Sequence, residues 1–152
     1  MRRSDPTHVP YRIALINMPF ARLSMPSIAL TQLSAVLEKR FGDRVEVSIH
    51  YLNLDFAAYI GDVALYDHAH SATAFLTGIG EWFFRQSAFP NAEDNRDAYY
   101  AHYYSAQDEA TQTAWKRLIE KRLGLDDVLD EMIDRHQLLD VDLVGFTALF
   151  SQ

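Results

Sequence analysis

Asp142-Leu143-Val144-Gly145-Phe146-Thr147-Ala148-Leu149-Phe150 decides how the rest of this 152-residue chain is read. It is a nearly continuous apolar run, and only Ser151 and Gln152 follow it. A strand covered on one face alternates apolar with polar residues, whereas an unbroken run belongs to a parallel strand buried on both faces. Parallel strands are joined by helical crossovers that cover the sheet. The expectation is therefore a third parallel strand over 142–150, in a chain that stops before the second half of its sheet.

Working outward, Tyr11-Arg12-Ile13-Ala14-Leu15-Ile16-Asn17-Met18 is a compact apolar strand stopped by Pro19, after a lead-in over 1–10 with two prolines. Ser24 is placed to cap a helix with Pro26 in its first turn, where a missing N–H costs nothing. Apolar positions at Ala29, Leu33, Val36, Leu37 and Phe41 give that helix one face, and Gly42 ends it. Val45-Glu46-Val47-Ser48-Ile49-His50-Tyr51 alternates and reads as a strand nearer the sheet edge. A β-α-β unit is thus complete by residue 54, with the right-handed crossover that parallel strands almost always adopt.

Residues 55 to about 140 are mostly helical and far exceed a simple crossover, so they read as an insertion. Phe56, Tyr59, Ile60 and Val63 form one helical stripe; Phe75, Ile79, Trp82 and Phe83 form another. After a break at Phe89-Pro90-Asn91 come Tyr99, Tyr100, Tyr103 and Tyr104, then helices over 108–123 and 126–138, the second capped by Asp126. The fold class that follows is α/β: a partial doubly wound, Rossmann-like or flavodoxin-like parallel sheet over 11–152, built from β-α-β, a large helical insertion and a third parallel strand.

The formal charge of -7 is uneven, with seven Lys/Arg against four Asp/Glu in residues 1–50 and seven against seventeen thereafter. An acidic surface repels phosphate backbones, which argues against nucleic acid as a partner. With no cysteine, the chain cannot form disulfides, thiolate metal sites or Cys-ligated iron–sulfur clusters. No signal-peptide pattern follows Arg2-Arg3, and no run approaches the roughly 20 apolar residues of a membrane span, so the expected location is the cytoplasm without membrane contact.

Ligands of open α/β sheets gather outside the carboxyl ends of the strands, where connections diverge to opposite faces. If the third strand lies beside the first, away from the second, the crevice falls between the loop Met18–Ser27 and Thr147–Gln152. That loop has no glycine, and Pro19 and Pro26 remove two N–H donors, which disfavours a dinucleotide and favours a large, partly apolar ligand. The alternative is a purely structural connection. Asp134-Arg135-His136 begins like the Asp-x-His-x-x-Gly motif of cobalt-ligating histidines but has Leu139 where glycine belongs; it reads as an exposed helix end. His68 and His70 cannot share an ion on one helix, and Asp126, Asp127, Asp130, Glu131 and Asp134 read as a solvated face. The tyrosine stripe and Trp82-Phe83-Phe84 read as core. No serine, lysine or histidine stands in a recognisable nucleophile pattern.

Three stretches together resemble a known family. Ala14-Leu15-Ile16-Asn17-Met18-Pro19-Phe20 with Pro26-Ser27-Ile28-Ala29-Leu30 is similar to the opening of the cobalamin-dependent radical SAM enzymes that mature ribosomally made peptides. Tyr51-Leu52-Asn53-Leu54-Asp55-Phe56-Ala57 and Gly80-Glu81-Trp82-Phe83-Phe84 resemble the family's second strand and insertion, and Asp142–Thr147 with Phe150-Ser151-Gln152 its third strand. The resemblance implies a domain that holds cobalamin without a histidine on cobalt, with Met18, Pro19, Phe20, Ser24, Ser27, Thr147, Ser151 and Gln152 along the corrin face. It also implies a downstream radical SAM domain carrying S-adenosylmethionine and a four-iron cluster, methyl transfer to a precursor peptide, and no catalytic residue or metal ligand in this chain. The alternative is a non-catalytic module that binds a peptide or partner subunit through the aromatic insertion.

Overall fold

The computed structural model describes residues 9–69 and 71–147. Strand β1 (Tyr11–Asn17) leads through a loop to helix α1 (Ile28–Phe41), a 3-10 turn (Gly42–Arg44) and strand β2 (Val45–Tyr51). Seven helices follow: α2 (Leu52–Ile60), α3 (Val63–Ala69), α4 (Ala72–Thr77), α5 (Ile79–Ala88), α6 (Arg96–Tyr103), α7 (Glu109–Arg122) and α8 (Leu125–Arg135). Strand β3 (Leu143–Phe146) ends the described elements. The sheet is parallel throughout, in the order β2-β1-β3. Ile13 pairs with Val47 on one side and Leu143 on the other, and Ile16 with His50 and Phe146.

Alternation along β1 builds two cores. Ile13 and Leu15 face α1, where they meet Leu30, Leu37, Val45, Val47 and Ile49. Ala14 and Ile16 face the insertion and join its much larger apolar cluster. The first connection therefore crosses one face of the sheet and the insertion crosses the other, which is the doubly wound arrangement. β3 is held from end to end: Asp142 N donates to Arg12 O at 2.9 Å, Arg12 N to Asp142 Oδ2 at 2.7 Å, and Thr147 N to Ile16 O at 2.9 Å.

The structure corrects several local expectations. Ser27, not Ser24, caps α1, its hydroxyl accepting from Leu30 N, because Pro26 and Ser27 precede the first helical turn. Gly61 (φ 72) and Gly78 (φ 65) adopt the left-handed conformation and split each expected insertion helix in two. The break puts Val63 and Phe75 on exposed surface, while Phe56, Ile60, Ile79, Trp82 and Phe83 remain in the core. Gly124 rather than Asp126 stands at the N-cap of α8, and Asp126 lies in its first turn. β3 is not covered on both faces: Leu143 is 50% and Phe146 60% exposed, since α1 packs over β1 and β2. The part of the expected strand over 148–150 lies outside the described residues.

Candidate functional site

The carboxyl ends of β1 and β3 meet as the sequence suggests. β1 runs into the Met18–Ser27 loop, and Met18 N donates to Thr147 Oγ1 at 3.2 Å, tying the start of the loop to the residue after β3. Behind the loop, Asn53 Nδ2 donates to Arg22 O at 3.3 Å, while Asn53 Oδ1 is buried with no hydrogen-bond partner among the described residues. Asn17 is buried as well. Two amide side chains at strand ends are thus held in a low-dielectric region, where an orphaned acceptor costs about 1–3 kcal/mol.

The residues expected to line a ligand divide into two sets. Pro19 and Phe20 turn inward, and Phe20 is 1% exposed. Its ring packs edge-on against Phe56 at 5.1 Å and Phe83 at 5.8 Å, and tilted against Tyr66 at 5.7 Å. Phe20 is therefore a core residue, correcting its assignment to a ligand face. Met18 is partly buried, Ser24 is exposed, and Ser27 and Thr147 are partly exposed with their hydroxyls engaged at the α1 cap and Met18 N. Ser151 and Gln152 lie outside the described residues. Of these residues, Met18 and Thr147 are joined directly, while Ser24 and Ser27 lie further along the loop toward α1. The loop has no glycine to bring its N–H groups close to a pyrophosphate.

The aromatic stripes of the insertion close on themselves. Trp82 stacks on Tyr99 at 4.8 Å, Tyr104 stacks on Trp115 at 4.7 Å, and Trp82 Nε1 donates to Asn95 Oδ1 at 3.0 Å. Arg122 lies over the Trp82 ring at 4.0 Å and pairs with Asp94 at 3.0 Å. Burial raises the Tyr66 and Tyr99 hydroxyls well above the ordinary phenol pKa, and each donates to a backbone carbonyl, Ala21 O and Thr77 O respectively. These groups form a core, with Tyr99, Tyr104, Trp82 and Trp115 buried in it.

A second cluster stands at the β2 edge, and periodicity did not reveal it. His136 caps α8 but is only partly exposed, so it is not the solvated helix end expected from the sequence. Its Nε2 lies 2.6 Å from Asp55 Oδ2, and its Nδ1 lies 3.0 Å from His50 Nδ1. His50 Nε2 is 2.8 Å from Ser48 Oγ, which itself lies 3.4 Å from Ile13 O. Arg135 pairs with the other Asp55 oxygen at 2.8 Å and with Glu131. Burial, and secondarily the charge of His136, pushes the His50 imidazole below its ordinary pKa. The only hint in the sequence was Ser-x-His on an alternating strand, which places both side chains on one face.

A third feature is a cavity of about 800 Å³ lined by Asp62, Leu65, His68, Asp108, Thr111 and Arg117, among others. Asp62 and Asp108 each accept from a helix N–H, at Leu65 and Thr111, which holds both carboxyls below the usual range. His70 lies outside the described residues. Comparison with protein-family models, with curated proteins and with solved structures finds no match to this chain. No helix among the described residues is long and apolar enough to cross a membrane.

Proposed function

We propose that the chain is the N-terminal, cobalamin-binding portion of a radical SAM enzyme that C-methylates a ribosomally made precursor peptide. The observation that carries this reading is the junction of β1 and β3: parallel neighbours, with connections crossing opposite faces and the Met18–Thr147 hydrogen bond joining their loops. That junction is where open α/β sheets bind ligands. The sequence resemblance supplies the identity of the ligand, and the glycine-free loop suits a corrin edge with amide arms.

In this reading Met18 gives van der Waals contact, and Ser24 and Thr147 offer hydroxyls to the amide arms. Bound cobalamin supplies the transferable methyl group. No residue of this chain is assigned a catalytic role, since the cluster and S-adenosylmethionine belong to a domain with cysteines that the chain does not contain. Partners in this reading are that radical SAM domain and, through the whole enzyme, the precursor peptide.

Equilibrium dialysis of the purified chain against hydroxocobalamin tests the reading. Weak, saturable binding is expected, reduced several-fold by Thr147→Val and by Ser24→Ala. A titration that never saturates in the millimolar range, or saturable binding that both substitutions leave untouched, would overturn it.

A further inference from the structure

We propose that His50 and His136 form a two-imidazole site for a borderline divalent transition-metal ion of the zinc and copper class, with Asp55 and Ser48 fixing the rings. The two ligands come from elements far apart in sequence, the β2 edge strand and the C-terminal cap of α8, yet their Nδ1 atoms face each other at 3.0 Å. Zinc–imidazole bonds of about 2.0–2.1 Å put two ligand nitrogens about 3.3 Å apart at a tetrahedral angle, so a few tenths of an ångström of opening would admit the ion. The ring centres are 5.0 Å apart with planes at 81°. That is slightly closer than two rings aimed straight at one another across this contact would be, so the contact between the nitrogens is bent.

Each ring is held by its second nitrogen, the arrangement that orients metal-bound histidines. His136 Nε2–H donates to the Asp55 carboxylate, which Arg135 steadies from the other side. His50 has Ser48, and Ser48 can work in either sense. With no metal and His136 Nε2 protonated toward Asp55, both contacts are satisfied by the tautomer in which the Ser48 hydroxyl donates to His50 Nε2 and His50 Nδ1–H donates to His136 Nδ1. With metal, the His50 proton moves from Nδ1 to Nε2 and is donated to Ser48 Oγ, whose own proton turns to Ile13 O. Both Nδ1 lone pairs are then open without net release of a proton. Imidazole nitrogens select borderline ions over magnesium or calcium. Among the described residues no group of three or more His, Cys, Asp or Glu could hold a metal, so the protein supplies two ligands and water completes the coordination.

The test is titration of the tag-free chain with Zn²⁺ in competition with a chromophoric chelator. One saturable equivalent is expected, with affinity lowered at least tenfold by His50→Ala and by His136→Ala, and by roughly 10–100-fold by Asp55→Asn. A wild-type chain that does not saturate, or a His50→Ala/His136→Ala chain that binds as the wild type does, overturns the site. Should either histidine variant fail to fold, histidine ring ¹⁵N spectra of the wild type decide: two Nδ1 resonances must move with Zn²⁺, and movement of other ring nitrogens alone overturns the proposal.

Discussion

Phe20 holds a backbone φ of 63, a conformation that costs a bulky L-residue about 1–2 kcal/mol. The left-handed turn points its ring away from the strand end and into the aromatic cluster of α2, α3 and α5, where burying a phenyl ring outweighs that cost. Sequence patterning places Phe20 in a loop and cannot show which way the loop turns. His68 is a second residue decided by its surroundings. Desolvation lowers its pKa from 6.5, and the attraction of Asp108 only partly opposes this. A base whose folded pKa is depressed binds fewer protons folded than unfolded, so its contribution is full above the unfolded value and is lost as pH falls from there through the depressed folded value. Thermal unfolding of the wild type is expected to lose more stability than His68→Gln between about pH 7.5 and pH 5. Parallel pH curves for the two proteins would refute this. Asp62 and Asp108, held below 3.8, act at lower pH and do not confuse the comparison.

Helix boundaries follow from capping chemistry that periodicity reads only to within a few residues. Ser24 and Ser27 both precede α1, but it is Ser27, with extended backbone, whose hydroxyl accepts from Leu30 N. Ser27→Ala is expected to cost about 0.5–2 kcal/mol in chemical denaturation, and Ser24→Ala, an exposed loop change, about 0.5 kcal/mol or less. Equal effects would return the cap to Ser24. Gly78 shows the same principle at a break: it closes α4 and opens α5, and its φ of 65 is strained for any other residue although only Glu81 lies near. The glycines were visible in the sequence. Their conversion of two expected helices into four was not, because a helical stripe continues across a left-handed residue in one dimension but changes direction in three.

For the whole molecule, the uneven cover of the sheet matters most. The insertion face is deep: Leu118, on α7, is fully buried within it. The opposite face is shallow, with Leu30 the buried residue of α1, while Leu143 on β3 stands half exposed and Ile28 and Val36 more so. Leu118→Ala is expected to cost about 2–5 kcal/mol, whereas Leu143→Ala should change stability by about 0.5 kcal/mol or less. A large loss at Leu143 in denaturant titrations would mean that β3 is covered in solution. The parallel sense of the three strands was legible because apolar runs joined by helical connections leave few topologies, whereas the β2-β1-β3 order was one arrangement the sequence allowed and the register came from the structure. The His50–His136–Asp55 cluster was not, since its members lie on separate elements and each taken alone resembles a solvated polar residue.

Alternation, stop residues and the absence of cysteine are local properties of the chain, and they determined the three strands, the first helix, the mostly helical character of 55 to about 140, and the exclusion of disulfides and thiolate sites. Tertiary structure alone decided that Phe20 turns into the core, which tyrosines stack on which tryptophans, and that two histidines meet across β2 and α8. Each of those outcomes depends on distances between elements, which packing sets and one-dimensional spacing does not encode.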